Sequence, residues 1–174
     1  MFQGGLEFRS PTMRIAFLAP LAAALAVSGA AAAQPSAVVV TVSPDFAKTA
    51  AGLGERDVEQ QVTDLTRTLE RVLGDRHALD GARLELVITD LKPNRPTMQQ
   101  LSDRPGLDAM RSLSIGGAAI EGTVTTASGD VQPVKFDYYT TTLADAQGST
   151  TWTDAQRAYD RLARNLAEGR FVTR

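Results

Sequence analysis

The sequence predicts an α/β (α+β) fold: a four-stranded mixed sheet with two helices on one face, in the order β-α-β-β-β-α. Three observations carry this. Residues 37–43 (AVVVTVS) are a β-branched run, the pattern of a buried strand. Residues 55–73 repeat apolar side chains with helical period. Residues 115–143 place two strand-like runs around Ala127-Ser128-Gly129-Asp130, which reads as a hairpin.

Each element has its own signal. Pro44 ends the first strand, and 44–54 reads as a loop with a short helical turn. In the first helix Val58, Val62, Leu65, Leu69 and Val72 are spaced by four, three, four and three residues, so they share one face. Glu55 and Asp57 suit its positive N-terminal end, and Gly74 suits its stop. The same spacing fits a coiled-coil seam, but a seam needs about three or four heptads, and this helix is too short. It is expected to lie on a sheet.

The second strand, 83–90 (RLELVITD), alternates Leu84, Leu86 and Ile88 on one side. A crossover from the first strand through the helix should be right-handed and make these two strands parallel. The hairpin strands are 115–126 (IGGAAIEGTVTT) and 131–143 (VQPVKFDYYTTTL), with Pro133 marking an edge or a bulge. Gly116 and Gly117 read as a bulge or close backbone approach, and Gly122 as room for a packed helix. Thr153-Asp154-Ala155-Gln156 matches a capping box and opens a helix to about residue 168. Tyr159, Leu162 and Leu166 form its inner face, and Gly169 its stop.

Residues 1–33 carry upstream residues and a cleavable export signal. Met13-Arg14 supplies the charge, 15–27 (IAFLAPLAAALAV) the apolar run, and Ala31-Ala32-Ala33 the small residues before a cut at Gln34. The run is shorter than the roughly 20 residues of a membrane span, so the mature chain is expected to have none. Residues 34–174 form one α/β domain, expected in the periplasm or secreted. There is no cysteine, which excludes disulfides, thiolate metal sites and a lipidated cysteine. The chain's net charge of −2 becomes −3 once Glu7, Arg9 and Arg14 leave with the leader. That balance argues against nucleic acid as a partner.

The element order is similar to that of the TolB amino-terminal domain, a small domain of the bacterial envelope. The leader together with ITDLKPNRPT and GGAAIEG resembles exported bacterial envelope proteins of unknown function. These resemblances imply an architecture and an address, and carry over no activity and no site residue.

Catalytic signals are weak. There is no G-x-S-x-G, and the one histidine, His77, sits in a charged turn (GDRHALDG) where solvation explains it. A lone histidine cannot build a zinc site, the calcium loop pattern is missing, and Asp80, Asp90, Asp130 and Asp137 are dispersed. SIGGAAIEG lacks the lysine and the following helix of a phosphate loop. No cofactor is expected. Glu121 and Asp137 fall on the outer sheet face by parity, where Lys135 is the expected partner of Glu121.

The connection from Lys92 to Ser114 is longer than the usual four to six or so residues. It carries Lys92, Arg95, Arg104 and Arg111, is stiffened by Pro93, Pro96 and Pro105, and holds Met98, Leu101, Leu107, Met110 and Leu113 as apolar anchors. Thr97 to Leu101 fits a helical turn. The stretch reads either as a contact surface for a carboxylate, a phosphate headgroup or an acidic protein, or as a cover over one end of the core. Lys135 and Tyr139 on the outer face complete the candidate binding residues. The expected function is that of a small exported envelope accessory protein acting through protein contacts, without catalysis. The contacts would use the loop and the edge strand over 131–143, with an envelope protein or a second copy as partner. The alternative is a periplasmic ligand-binding or hydrolytic protein with its site between the 92–114 loop and the 115–143 hairpin.

Overall fold

β1 (Ala37–Val42) and β2 (Arg83–Lys92) lie side by side and parallel, as the crossover rule requires. The computed structural model describes residues 34–173. The expected export signal over 1–33 lies outside them.

The protein has mixed α/β character, with five strands among the described residues where four were expected and four helices where two were expected. Between β1 and the long helix α2 (Glu55–Asp75) comes α1 (Pro44–Ala50), followed by a 3-10 turn, Ala51–Leu53. The Ser43 hydroxyl accepts the Phe46 N–H at 3.1 Å and Pro44 occupies the first turn, so α1 has the capping chemistry of a true helix. α3 (Met98–Asp103) lies inside the long connection. β3 (Gly117–Thr125) and β4 (Val131–Tyr139) form the expected antiparallel hairpin, shorter at its outer ends than predicted. α4 (Thr153–Ala167) is followed by β5 (Val172–Thr173), whose two residues are too few to show a period.

The sheet order is β1-β2-β3-β4-β5, with β2, β3 and β4 antiparallel in turn and β5 parallel to β4. β2 outruns its predicted end by two residues because the register against β3 jumps between Ile88 and Asp90. This bulge at Thr89 keeps Ile88 and Leu91 inward and turns Asp90 and Lys92 outward.

α2 and α4 pack together on one face of the sheet. Leu65, Leu69, Tyr159, Leu162 and Leu166 meet Leu84, Leu86, Ile88, Ile120 and Val124 in one cluster. Each such side chain contributes about 1.5–3 kcal/mol by leaving water. Val58 and Val62, on the predicted face of α2, are only partly buried, since they lie towards the open β1 edge. α2 also runs past Gly74 to Asp75.

Two local readings are corrected. α4 is not opened by a capping box: Trp152 is its N-cap, and Thr153 Oγ1 instead accepts the Thr150 N–H at 2.8 Å. Gly122 makes no room for a helix, since a Cβ there would fall 2.1 Å from the Glu85 carbonyl oxygen of β2.

Candidate functional site

The C-terminal ends of β1, β2 and β4 and the start of β3 all lie at one end of the sheet, so the segments that leave them cap that end. The cap comprises α1, the 3-10 turn, the 93–116 connection and the 140–152 connection. Pro93, Pro96 and Pro105 limit the backbone freedom of the longest of these.

Asn94 ties the two long connections together. It is fully buried. Its Nδ2 donates to Asp154 Oδ2 at 2.5 Å and its Oδ1 accepts the Asp154 N–H at 3.0 Å. Its own N–H donates to the Thr151 carbonyl at 2.8 Å, and its carbonyl accepts the Ser114 N–H at 2.9 Å. Gly116 has no side chain because a Cβ there would lie 2.5 Å from Asn94 Oδ1. Asp154 is fully buried too, and Arg157 Nη1 donates to it at 2.8 Å. Thr140 Oγ1 faces the same carboxylate without closing a hydrogen bond of good geometry. Burial pushes the Asp154 carboxyl up, but Thr140, Asn94 and Arg157 outweigh it and hold the group below its ordinary value.

Arg95, expected as a free binding cation, is used inside the cap. Its Nε donates to the Ser149 carbonyl at 2.6 Å, and its Nη1 to the Met110 carbonyl. A guanidinium spanning two backbone carbonyls is a strut, and leaves little for a ligand. α3 carries the capping box the sequence analysis placed elsewhere: Thr97 Oγ1 accepts the Gln100 N–H at 3.2 Å and Gln100 Oε1 accepts the Thr97 N–H at 3.1 Å. At 108–112 the Asp108 carboxylate accepts the N–H groups of Met110 and Arg111, each at 2.7 Å. Those bonds, from Arg111 and then Met110, lower its pKa.

The folded connection lines an open pocket of about 280 Å³. Pro93, Pro96, Leu107 and Leu113 give it apolar walls, and among the described residues Lys92 and Arg104 are the charged side chains that line it. Its neutral polar side chains are engaged: Gln100 in the α3 cap, Ser112 with the Asp108 N–H, and Ser114 with the Pro93 carbonyl. Arg104 makes no ion pair among the described residues. Arg111 is exposed beside the pocket and does not line it.

The outer sheet face gathers the remaining candidates. Lys92, Gly117 and Tyr139 sit abreast on three neighbouring strands. With no side chain at Gly117, the Tyr139 ring lies across it. Its hydroxyl donates to Asp90 Oδ2 at 2.6 Å, and Lys92 Nζ stands 4.8 Å from the ring centre and 3.6 Å from the same Asp90 oxygen. Burial, with the Asp90 hydrogen bond and charge, pushes the Tyr139 hydroxyl far above its usual range, so it stays a neutral donor. Lys135 pairs with Glu121 at 3.0 Å, as parity predicted. The structure thus brings Lys92 to Arg104 around one pocket and Lys92 to Tyr139 on the outer face, while Lys135 stands apart. Sequence reasoning missed Asn94 and Asp154, because a buried amide–carboxylate pair 60 residues apart leaves no periodic signal.

Among the described residues no group of three or more His, Cys, Asp or Glu side chains is placed to hold a metal ion, and no helix is long and apolar enough to cross a membrane. His77 is exposed in its turn. No family model, no curated protein and no solved structure matches the chain.

Proposed function

We propose that this chain is a binding or accessory protein of the bacterial envelope, exported to the periplasm, that acts through protein contacts made by the cap. The observation that carries this reading is the way the 93–116 connection is built. Asn94, Arg95 and Asp154 fix it from beneath, while Met98 and Met110 stand 77% and 76% exposed above it, close in sequence to the exposed Arg104 and Arg111. A surface that is already ordered loses little entropy on binding, and methionine with arginine is common at contact sites.

A photo-crosslinking residue placed at Met98, Met110 or Asp80 tests the reading in living cells. Asp80 precedes β2 and lies at the opposite end of the sheet. The expected result is one discrete protein adduct from the two cap positions, absent from Asp80 and weakened by the double substitution Arg104→Ser with Arg111→Ser. Identical adducts from all three positions would remove the cap from consideration. Fractionation with N-terminal sequencing of the mature chain, expected to begin at Gln34, tests export separately.

A second reading, capture of a small ligand, is favoured by the pocket itself. Two cations and apolar walls suit a short carboxylic acid. Hexanoate should raise the melting temperature and hexanol should not, and the shift should vanish with Arg104→Ser.

A further inference from the structure

Lys92 belongs to two places at once. It lines the pocket of the cap, and its ammonium is held on the outer sheet face. The edge expected over 131–143 is partly covered, by β5 at Lys135 and Phe136, and Tyr139 lies beyond that cover. From there the Tyr139 ring reaches across Gly117 to β2.

Three side chains form one closed group at that point. The Tyr139 hydroxyl donates to Asp90 Oδ2 at 2.6 Å, and Lys92 Nζ stands 3.6 Å from the same oxygen and 4.8 Å from the ring centre. The bulge at Thr89 makes the group possible, because it turns both Asp90 and Lys92 outward. The hydroxyl holds the carboxylate in place, and the carboxylate answers the Lys92 charge.

Arg104 is in a different position. It lines the same pocket, is exposed, and makes no ion pair with a described residue. The two acids nearest to it in the chain are engaged elsewhere. Both Asp103 oxygens accept from Gln99 Nε2 at 2.9 Å, and Asp108 Oδ1 accepts the Met110 and Arg111 N–H groups. Neither acid lines the pocket, and nor does Asp90. Of the two cations on the pocket wall, one is therefore already neutralised and one is not.

We propose that Asp90 sets the charge selectivity of this pocket, which takes an apolar acid with a single negative charge and disfavours one with two. The inference rests on the reading of the pocket as a ligand site. A monoanion needs one counter-charge, and Arg104 supplies it as a planar fork suited to a carboxylate. Pro93, Pro96, Leu107, Leu113 and Ile115 receive the apolar chain. A second negative charge would find Lys92 already answered, and would lose water beside apolar walls with no partner of its own. The lysine stem is flexible, so what keeps its charge from the pocket is Asp90.

The test uses the mature protein and two probes of similar chain length at about pH 8. Hexanoate is singly charged there, and hexyl phosphate is doubly charged because its second pKa is about 6. Calorimetry gives both dissociation constants. The parent should bind hexanoate more tightly than hexyl phosphate. Asp90→Asn keeps an acceptor for Tyr139, and it should improve hexyl phosphate binding about two- to fivefold more than hexanoate binding, the range of an exposed ion pair. Adding Lys92→Gln should remove that gain, which a purely structural effect of Asp90 would not require. Arg104→Ser should weaken both probes. An unchanged ratio in Asp90→Asn, with hexanoate still bound through Arg104, overturns the inference and leaves the pocket reading standing. Tighter binding of hexyl phosphate by the parent overturns it in the same way. Failure of the parent to bind either probe overturns both.

Discussion

Asn94 and Asp154 clasp each other from two connections 60 residues apart, with Nδ2 donating to Oδ2 at 2.5 Å and the Asp154 N–H donating to Oδ1 at 3.0 Å. Both are out of water, so neither can replace its partner with solvent. Asn94→Ala is expected to destabilise the protein by about 1–3 kcal/mol, the cost of leaving buried polar groups unmet. Urea denaturation measures it. A double-mutant cycle with Asp154→Ala should show a coupling of at least about 0.5 kcal/mol. Simple additivity would mean that the two residues stabilise the cap independently.

Asp154 also predicts a pH dependence. Its folded pKa lies below the unfolded value of about 3.9, because hydrogen bonds and the Arg157 charge outweigh burial. The unfolded state therefore takes up a proton first as the pH falls. The stabilisation is fully present above about pH 4 and is lost as the pH drops through the folded pKa. Asp154→Asn should be less stable than the parent at neutral pH, and the gap should narrow on acidification. A gap constant across the acid range would assign the stability to the hydrogen bonds rather than to the charge.

Arg95 and Arg104 look alike in sequence and should behave differently. Arg95 holds the Ser149 and Met110 carbonyls, and Arg104 is exposed at the pocket. Arg95→Ser should cost about 1–3 kcal/mol and speed amide exchange around Met110. Arg104→Ser should leave stability within about 0.5 kcal/mol of the parent. Equal losses would make both arginines part of the framework.

This contrast shows where sequence reading reached and where it stopped. Periodicity found α2, β2, the hairpin and α4, because each buries a stripe whose spacing the backbone dictates. β1 was found from its β-branched run and read as a buried strand, but it is an edge strand with no fully buried side chain. Parity placed Glu121 opposite Lys135 before any coordinates. The capping pattern was ambiguous. Thr97 to Gln100 and Thr153 to Gln156 both match it, and only the first is used, since Thr153 is diverted to Thr150. The long connection was recognised as exceptional, and the turn at Thr97 was expected. Its division of labour was hidden, because charge does not reveal whether an arginine faces a carbonyl or water. That depends on the 140–152 segment, brought close only by the completed sheet.

Glycine substitutions provide the last prediction and a check on the outer face. Gly117 adopts φ +151°, and a Cβ there would lie 2.1 Å from the Tyr138 carbonyl oxygen and 2.6 Å from Tyr139 Cδ1. Neither the backbone nor the ring can move aside, because the Tyr139 hydroxyl is held by Asp90. Gly117→Ala should therefore destabilise by more than about 1–3 kcal/mol and release Tyr139, seen as a fall in its phenol pKa. Gly52 has no positive φ and nothing within 4 Å of a Cβ, so Gly52→Ala should be neutral or stabilise by about 0.4–1 kcal/mol. If both substitutions have the same effect, the Lys92, Gly117 and Tyr139 row is looser than its geometry requires. If Gly117→Ala destabilises while the tyrosine titration is unchanged, the clash is taken up by β4 and the hydrogen bond to Asp90 survives it.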